Sequence, residues 1–218
     1  MSLAIFDLDN TLIGGDSDHL WGEFLIGRQL VDAQHYKSEN DRFYRDYQTG
    51  RLDIDAFLAF SLEPLARIPM ARLQELHRQF MSECIAPIRL QKSDALLQKH
   101  RRRGDDLLII TATNRFVTAP IARLLGIDDI LATEPEIKDG VYTGRHVGTP
   151  CFREGKVTRL QHWLQDYPGT LQDSSFYSDS INDLPLLQKV DNPIAVDPDD
   201  KLRQHAVEHG WDIISLRK

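Results

Sequence analysis

The sequence has little cysteine and no long apolar run, and both shortages restrict the class of protein. Cys84 and Cys151 are its two cysteines and form no CxxC pair, so it offers neither a disulfide framework nor a thiolate zinc site. No stretch approaches the ~18 apolar residues of a membrane span, and Asp7 and Asp9 occupy the place where a signal peptide has its apolar region. We therefore expect a cytoplasmic protein with no membrane partner.

Positive charge is also scarce. The 218 residues include 26 lysines and arginines against 33 aspartates and glutamates, which gives a net charge of −7. The densest basic cluster, residues 99–103, precedes Gly104, a pattern typical of the carboxyl end of a helix, where cations face the helix dipole. A chain without a general basic field is not expected to bind nucleic acid.

Strand-like alternation is nearly missing from residues 17–103, where helical patterns dominate. Eight of the 18 aromatic residues lie between Trp21 and Phe60, enough for this region to build a small core of its own. From Asp105 onward, short apolar runs alternate with helical patterns, which predicts an α/β fold with a parallel sheet covered on both faces. An Asp-Gly pair at 139–140 breaks the alternation and predicts a hairpin turn.

Polar side chains follow several of the predicted strands. Ligands bind at the carboxyl ends of the strands in parallel sheets, so we expect these side chains to meet at one edge. Lys156 stands at the start of the helix before the last of these strands and would reach the same edge. The set is Asp7, Asp9, Thr11, Thr111, Thr113, Lys156, Asp179, Asn182 and Asp183.

The acidic members of this set suit phosphoryl transfer. Asp7 and Asp9 are two residues apart, so both carboxylates can face the same side where the strand ends. Two like charges so close are tolerated when a hard cation lies between them, and Asp179 and Asp183 add oxygen ligands of the kind that Mg²⁺ prefers. A carboxylate that attacks a phosphoryl group needs such positive charge, from the metal and from Lys156. Asp9 can then protonate the leaving alcohol.

The motifs "DLDNT" (7–11) and "DSIND" (179–183), with Thr111 and Lys156 between them, resemble a known set. In order and separation they are similar to the four motifs of the haloacid dehalogenase-like hydrolase superfamily, and in particular of its phosphoserine phosphatase-like branch. The resemblance implies transfer through a phospho-aspartate on Asp7, with Asp9 as acid and base. It assigns the metal to Asp7, Asp9, Asp179 and Asp183, and the phosphate to Thr111, Lys156 and Asn182.

The same resemblance implies a Rossmann-like, doubly wound parallel sheet with an inserted all-helical cap domain. The catalytic core would comprise residues 1–15 and 88–218, and the cap residues 16–87, which we call the insert. Members of this branch remove phosphate from small metabolites, including phosphoserine and histidinol phosphate. We therefore expect a small phosphorylated metabolite as the partner, and a monomer or homodimer.

Two acids at the start of the insert are candidates for substrate selection. Asp16 stands where phosphoserine phosphatases carry a glutamate that meets the substrate's amino group, so Asp16 or Asp18 could select a cationic amine. Alternatively, Asp16 caps a helix that starts near Asp18. The insert has no "SLxxRV"-like segment to supply an arginine for a substrate carboxylate, and "YQTGRLDIDAF" stands in that region. Arg42 or Arg51 could substitute for that arginine, but an exposed helix arginine is usually only solvated. A substrate without a carboxylate therefore gains weight, and histidinol phosphate and phosphoserine both stay open.

Two other functions would use the same residues. A phosphotransferase or mutase would pass the phosphoryl group from Asp7 to a second metabolite, and the motifs do not distinguish acceptors. A non-catalytic, receiver-like signalling protein also places an acidic pair, a hydroxyl, a lysine and Mg²⁺ around a phosphorylated aspartate. Receivers are compact, however, and a long helical insert has no place in them. The insert therefore favours the enzyme.

Overall fold

A computed structural model describes residues 2–217, which form a seven-stranded sheet with helices on both faces. The strands are β1 (Leu3–Phe6), β2 (Asp106–Asn114), β3 (Asp129–Lys138), β4 (Val141–Val147), β5 (Ser175–Ser178), β6 (Asn192–Val196) and β7 (Asp212–Ile214). Their order is β4-β3-β2-β1-β5-β6-β7, and every neighbouring pair is parallel except β3 and β4. The chain runs outward from β1 in both directions, as in a doubly wound sheet, so the predicted fold class is confirmed.

Helices cover the sheet because successive residues of a strand point to opposite faces. In β1, Ala4 and Phe6 join one apolar cluster, whereas Leu3 and Ile5 join another. The helices of the described chain are α1 (Ser17–Gly27), α2 (Ala33–Gln48), α3 (Ile54–Arg67), α4 (Met70–Phe80), α5 (Gln91–Arg103), α6 (Arg115–Leu124), α7 (Glu154–Trp163), α8 (Leu184–Leu187) and α9 (Asp200–His209). Among the described residues, no helix has both the length and the apolar character needed to cross a bilayer.

The insert begins and ends at adjacent points of the core. Helices α1 to α4 all lie between β1 and β2, which agrees with the predicted helical region. The two connections run side by side, since Ile13 pairs with Arg89 and the backbone N–H of Gly14 donates to the carbonyl of Ile88 at 2.7 Å. The division into residues 1–15, 16–87 and 88–218 stays a prediction.

The local signals at the chain's turns have the predicted effect. Gly104 ends α5 in the left-handed conformation, with φ of 76°, directly after the basic cluster. Asp139 and Gly140 have φ of 50° and 78° and join the antiparallel strands β3 and β4. Positive φ at both central residues is what a two-residue hairpin of this twist requires.

The aromatic residues of the insert pack partly on one another and partly on the core. Phe43 of α2 contacts Phe57 and Phe60 of α3, with ring centroids 5.5 and 5.3 Å apart, which supports the expected small core of the insert. Trp21 of α1 packs edge-on against Phe116 of α6, with ring centroids 5.4 Å apart, and Phe80 of α4 lies in the same apolar cluster as Phe6 of β1. A smaller cluster joins Phe43 of α2 to Phe152 of the core. The aromatic residues of α1 and α4 are therefore buried in the cluster shared with the sheet, whereas those of α2 and α3 also pack on each other.

Candidate active site

Asp7 and Lys156 lie together at the carboxyl edge of the sheet. The backbone N–H of Asp7 donates to the carbonyl of Tyr177 at 2.9 Å, which extends the pairing of β1 with β5 by one residue. Lys156, in the first turn of α7, donates from Nζ to Asp7 at 2.8 Å and to Asp183 at 2.7 Å. Burial alone lowers the pKa of Lys156, but Asp183 and Asp7 outweigh burial and raise it. Lys156 is therefore a buried, charged ammonium.

Asp183 is held in place by these buried contacts. Besides Lys156, its carboxylate accepts a hydrogen bond from Ser178 Oγ at 2.7 Å. Asp183 also begins the one-turn helix α8, which Pro185 continues. Its direct partners in the structure are therefore Lys156 and Ser178, and its predicted contact with a metal stays a prediction.

Asp9 is the second acid of the first motif, and its two oxygens are both hydrogen-bonded. Oδ1 accepts from the backbone N–H of Ser17 at 2.6 Å, and Oδ2 accepts from Thr113 Oγ1 at 2.8 Å. Burial, and then the nearby charge of Asp16, raise the pKa of Asp9 to about 6. The proton equilibrium of Asp9 is thus poised close to neutral pH, as a group that both gives and takes a proton requires.

Burial disfavours the ionised forms of Asp7 and Asp179. Burial raises the pKa of Asp7 to about 7 even though Lys156 opposes the change. Burial also raises the pKa of Asp179 well above its ordinary value, and the charges of Asp7 and Asp183 add to the effect. Thr11 joins the two motifs, since its Oγ1 donates to Asp179 Oδ1 and accepts from the Asp179 backbone N–H, each at 3.1 Å.

The remaining predicted phosphate contacts differ in how free their polar atoms are. Thr111 is buried in the second half of β2, and its Oγ1 accepts from the backbone N–H of Thr113 at 3.3 Å, which leaves the hydroxyl proton available. Asn182 is more occupied, because its Nδ2 donates to the carbonyl of Tyr47 at 3.0 Å and its Oδ1 accepts from Arg153 at 3.3 Å. Its contact with phosphate stays a prediction.

The acids of this edge carry more negative charge than the lysine offsets, which suits a divalent cation. Lys156 neutralises one charge, while Asp7, Asp9, Asp179 and Asp183 would contribute four when ionised. Burial is the main cause of the raised pKa values of Asp7 and Asp179, and the charge of Asp183 adds to both. All the donors are oxygen, as Mg²⁺ prefers. The residues therefore fit the predicted metal.

Side-chain geometry places a different acidic group at the rim of the site. Within residues 2–217, the one group of three acidic or histidine side chains whose ligand atoms lie within 4.8 Å of one another is His19, Glu23 and Asp41. The ammonium of Lys37 is 3.4 Å from Glu23 and 3.5 Å from Asp41, so that group already has a cation.

A pocket extends from the carboxyl edge of the sheet, beside Asp7 and Asp9, into the insert; we call this part of the sheet the catalytic edge. Asp16 Oδ1 accepts from the backbone N–H groups of Asp18 and His19 at 3.0 and 2.9 Å, so Asp16 does cap α1. The Asp18 carboxylate accepts from Asn114 Nδ2 at 3.2 Å, and burial raises its pKa well above the ordinary value. None of the described residues that line the pocket is arginine or lysine. The lining comprises Asp7, Asp9, Asp16, Asp18, His19, Asn40, Phe43, Tyr44, Tyr47, Leu52, Ile54, Phe57, Thr111, Ala112 and Thr113.

Several side chains at this site were not predicted from the sequence. Ser178 and Arg153 carry no motif signal, because each acts through a contact made only in the folded chain. Asn114 caps α6 by accepting from the backbone N–H of Val117, and the same amide reaches Asp18. An asparagine between a strand and a helix predicts the cap but not the second contact.

This fold, with its acidic edge, is that of a hydrolase. A family model for haloacid dehalogenase-like hydrolases matches residues 4–188, and the chain belongs to that family. It is a phosphatase of the family, as predicted, and the receiver-like alternative is wrong.

Individual relatives agree with this assignment. A protein of Neisseria meningitidis serogroup C named "Histidinol-phosphatase" is 50% identical over 220 residues, which are 99% of each chain. A solved structure of a protein of unknown function from Bordetella pertussis Tohama I has a TM-score of 0.92 and 42% identity, and the match covers 99% of this chain and 98% of that one. A phosphoserine phosphatase solved as an analogue of its phospho-aspartyl intermediate has a TM-score of 0.73 and 19% identity over 100% of this chain and 94% of that one, which shows a shared fold.

Proposed function

We propose that the chain is a Mg²⁺-dependent phosphomonoesterase that forms an aspartyl-phosphate on Asp7 and acts on histidinol phosphate. One observation supports the chemistry above all others, namely the buried contact of Lys156 with Asp7 and Asp183 beside a second acid, Asp9, whose pKa is about 6. A nucleophile, a cation and a proton carrier are thus available within one edge of the sheet.

The proposed reaction has two displacements at phosphorus. In the first, an oxygen of Asp7 forms a bond to phosphorus, the bond from phosphorus to the substrate's ester oxygen breaks, and Asp9 gives its proton to the leaving alkoxide. In the second, Asp9 takes a proton from a water molecule, the water oxygen bonds to phosphorus, and the bond to Asp7 breaks. Inorganic phosphate leaves, and both acids return to their starting states.

Positive charge makes the attack of one anion on another possible. Lys156 lies against Asp7 and would lower the repulsion between its carboxylate and the phosphate oxygens. The hydroxyl of Thr111 would donate to one of those oxygens. Mg²⁺ held by Asp7, Asp179 and the backbone carbonyl of Asp9 would, when bound, supply further positive charge to the phosphoryl group.

The pocket favours a substrate that carries an amine and an aromatic ring. Asp16 and Asp18 line the pocket, and burial raises the pKa of each, so a bound amine would stabilise their charged forms. The aromatic rings of Phe43, Tyr44 and Tyr47 line the same pocket. Histidinol phosphate has an amine and an imidazole but no carboxylate, so it needs no arginine in the pocket. Phosphoserine would leave its carboxylate without a cation, which costs free energy in a buried site. The relative named "Histidinol-phosphatase" supports the same choice.

Steady-state kinetics on three esters test this assignment. Histidinol phosphate should have a kcat/KM at least about tenfold above that of phosphoserine, since one unpaired buried charge is worth more than about 1.4 kcal/mol. Glycerol phosphate, a neutral alcohol's ester, serves as the third substrate. A preference for phosphoserine would refute the proposed substrate while leaving the phosphatase chemistry intact.

The acids of the pocket are tested by Asp16→Asn and Asp18→Asn. One of these two acids is expected to bind the amine. Replacing that acid with asparagine should raise KM for histidinol phosphate by about 10- to 100-fold, because a hydrogen bond to a charged group is worth roughly 1.5–3 kcal/mol. Its KM for glycerol phosphate should stay within about threefold of the wild type. Asp55→Asn, an exposed acid of α3, is the matched control. Equal losses on both esters would show that neither acid selects the amine.

A further inference from the structure

Side chains of the core bind the carboxyl end of α2. The last turn of a helix leaves carbonyl groups without partners inside the helix, and it carries a partial negative charge. Here those carbonyls accept hydrogen bonds from an amide, an ammonium and a guanidinium that all belong to the core. The pairs are Asn182 Nδ2 with Tyr47 at 3.0 Å, Lys201 Nζ with Thr49 at 3.2 Å, and Arg153 Nη2 with Gly50 at 2.5 Å.

Arg153 is the centre of this arrangement. Its guanidinium also donates from Nε and Nη2 to Asn182 Oδ1, each at 3.3 Å, and lies 4.9 Å from the centroid of the Phe152 ring. Arg153 directly precedes α7, three residues before Lys156, and has φ of 49°. A non-glycine residue seldom takes such a φ, and it does so where the surrounding contacts hold it. The backbone conformation of Arg153 and the hydrogen bonds of its guanidinium thus both hold the side chain in place.

The segment that Arg153 holds is a wall of the substrate pocket. Tyr44 and Tyr47 of α2 line that pocket, and they also line an outer cleft that reaches Asp179. The end of α2 therefore separates the bound substrate from a second opening toward the catalytic acids. Movement of this segment would change both the shape of the pocket and the access of water to Asp179.

We propose that Arg153 is a positioning residue that fastens the end of α2 to the catalytic edge while substrate is bound. It does so through Gly50 and Asn182 and touches no reacting atom. The inference rests on the proposed function, because the benefit of fastening the wall is tighter binding of the phosphomonoester. We call the contact of Arg153 with Gly50 and Asn182 the latch.

Arg153→Gly is the sharpest test, because glycine accepts a φ of 49° without strain while the side chain that makes the latch is removed. We expect KM for the best phosphomonoester to rise about tenfold and kcat to change by less than about threefold, the pattern of lost uniform binding. Thermal unfolding should show a midpoint close to that of the wild type, because relief of the strained φ offsets the lost hydrogen bonds and the added freedom of the unfolded chain. Arg153→Lys keeps the charge and should recover part of the loss in KM.

Amide hydrogen exchange tests whether the latch exists without any measurement of enzyme activity. The amides of Gly50 and Arg51 donate to the carbonyls of Tyr47 and Asp46, and they should exchange at least about tenfold faster in Arg153→Gly than in the wild type. Arg159→Ala is the matched control, since its guanidinium lies on the same helix but binds Ala132 and Glu134.

The outcomes separate the latch from the proposed function. Unchanged exchange and unchanged KM in Arg153→Gly would overturn the latch, and so would an equal effect of Arg159→Ala. A fall in unfolding midpoint with no change in KM would show a merely structural role and also overturn it. A wild-type protein that releases no phosphate from any ester would refute the proposed function, while the exchange rates would still decide whether the latch exists.

Discussion

Asp7 and Asp9 determine how the stability of the chain depends on pH. Their pKa values rise from 3.8 to about 7 and about 6, chiefly through burial. Between pH 3.8 and about 7, the native state therefore holds protons that the unfolded chain has already released. The contribution of these two groups to the free energy of unfolding is therefore largest below pH 3.8. That contribution falls as the pH rises to about 7.

We therefore expect the metal-free protein to lose stability from pH 5 to pH 8, and Mg²⁺ to restore more of it at pH 8 than at pH 5. His77 and His100, whose pKa values are lowered by burial, change stability in the opposite direction. Comparison with Asp7→Asn cancels their effect, because the variant keeps both histidines. Urea unfolding at each pH, with chelator and with Mg²⁺, gives the free energies. An identical pH slope in Asp7→Asn and the wild type would contradict the role of Asp7.

Lys156 is a charged residue with only 1% of its surface exposed. Lys156→Met would leave Asp7 and Asp183 without their cation, and we expect it to cost about 3–5 kcal/mol at pH 8. The cost should be smaller at pH 5, where Asp7 takes up a proton. Urea unfolding at the two pH values measures both. A cost that does not depend on pH would show that the loss arises from packing and not from charge.

At the scale of elements, the packing of the β3–β4 hairpin on α3 depends on one glycine. Gly144 has φ of 80°, and a Cβ there would lie 3.4 Å from the Cβ of Ala66. Gly27, at the end of α1, has open space around it and a helical backbone.

The same substitution should therefore have opposite effects at these two glycines. We expect Gly144→Ala to lower the free energy of unfolding by about 1–2 kcal/mol, the cost of a left-handed residue with a side chain. Gly27→Ala should raise it by up to about 1 kcal/mol, because alanine loses less backbone entropy in a helix. Urea unfolding of both variants gives the comparison. Stabilisation by Gly144→Ala would show that the hairpin does not hold this backbone conformation.

Sequence patterns predict these elements to different degrees. The apolar run before Asp7 and the Asp-Gly pair at 139–140 each have a local cause, and both elements lie where they are predicted. The strand after Asp129 is longer than its apolar run suggests, since it continues to Lys138 by pairing with β4. Such pairing depends on tertiary contact, which a local pattern does not contain.

The residues of the site are also predicted from the sequence to different degrees. Asp7, Asp9 and Asp179 are predicted by their place after strands, because the ends of parallel strands meet at one edge. Lys156 is predicted by its place at the start of a helix, whereas Thr111 lies inside β2, which is longer than its apolar run. The contacts of Arg153 across to the insert join residues that are 103 positions apart in the chain. No spacing rule links two such positions, so only the folded structure reveals them.

At the scale of the whole molecule, the insert and the sheet share their apolar interior. Trp21 of α1 lies in the same cluster as Phe6 of β1, whereas Trp163 and Trp211 pack in the cluster on the other face of the sheet. Loss of either side would expose apolar surface of the other, so we expect one cooperative unfolding transition.

Tryptophan fluorescence tests this cooperativity. A variant with Trp163→Phe and Trp211→Phe reports on the insert through Trp21, and Trp21→Phe reports on the core. Within each variant, the urea midpoint from fluorescence should agree with that from circular dichroism. A fluorescence midpoint of the Trp21-only variant that lies clearly below its circular dichroism midpoint would show that the insert unfolds by itself.

Phosphate release from histidinol phosphate, by the wild type and by Asp7→Asn, tests the central claim most directly. The account predicts many turnovers by the wild type with Mg²⁺, none with chelator, and a loss of at least about 10⁴-fold in kcat for the variant, whose amide is a far weaker nucleophile. Circular dichroism of the variant should match that of the wild type. Substantial turnover by a folded Asp7→Asn would contradict the aspartyl-phosphate and with it the role assigned to the first strand.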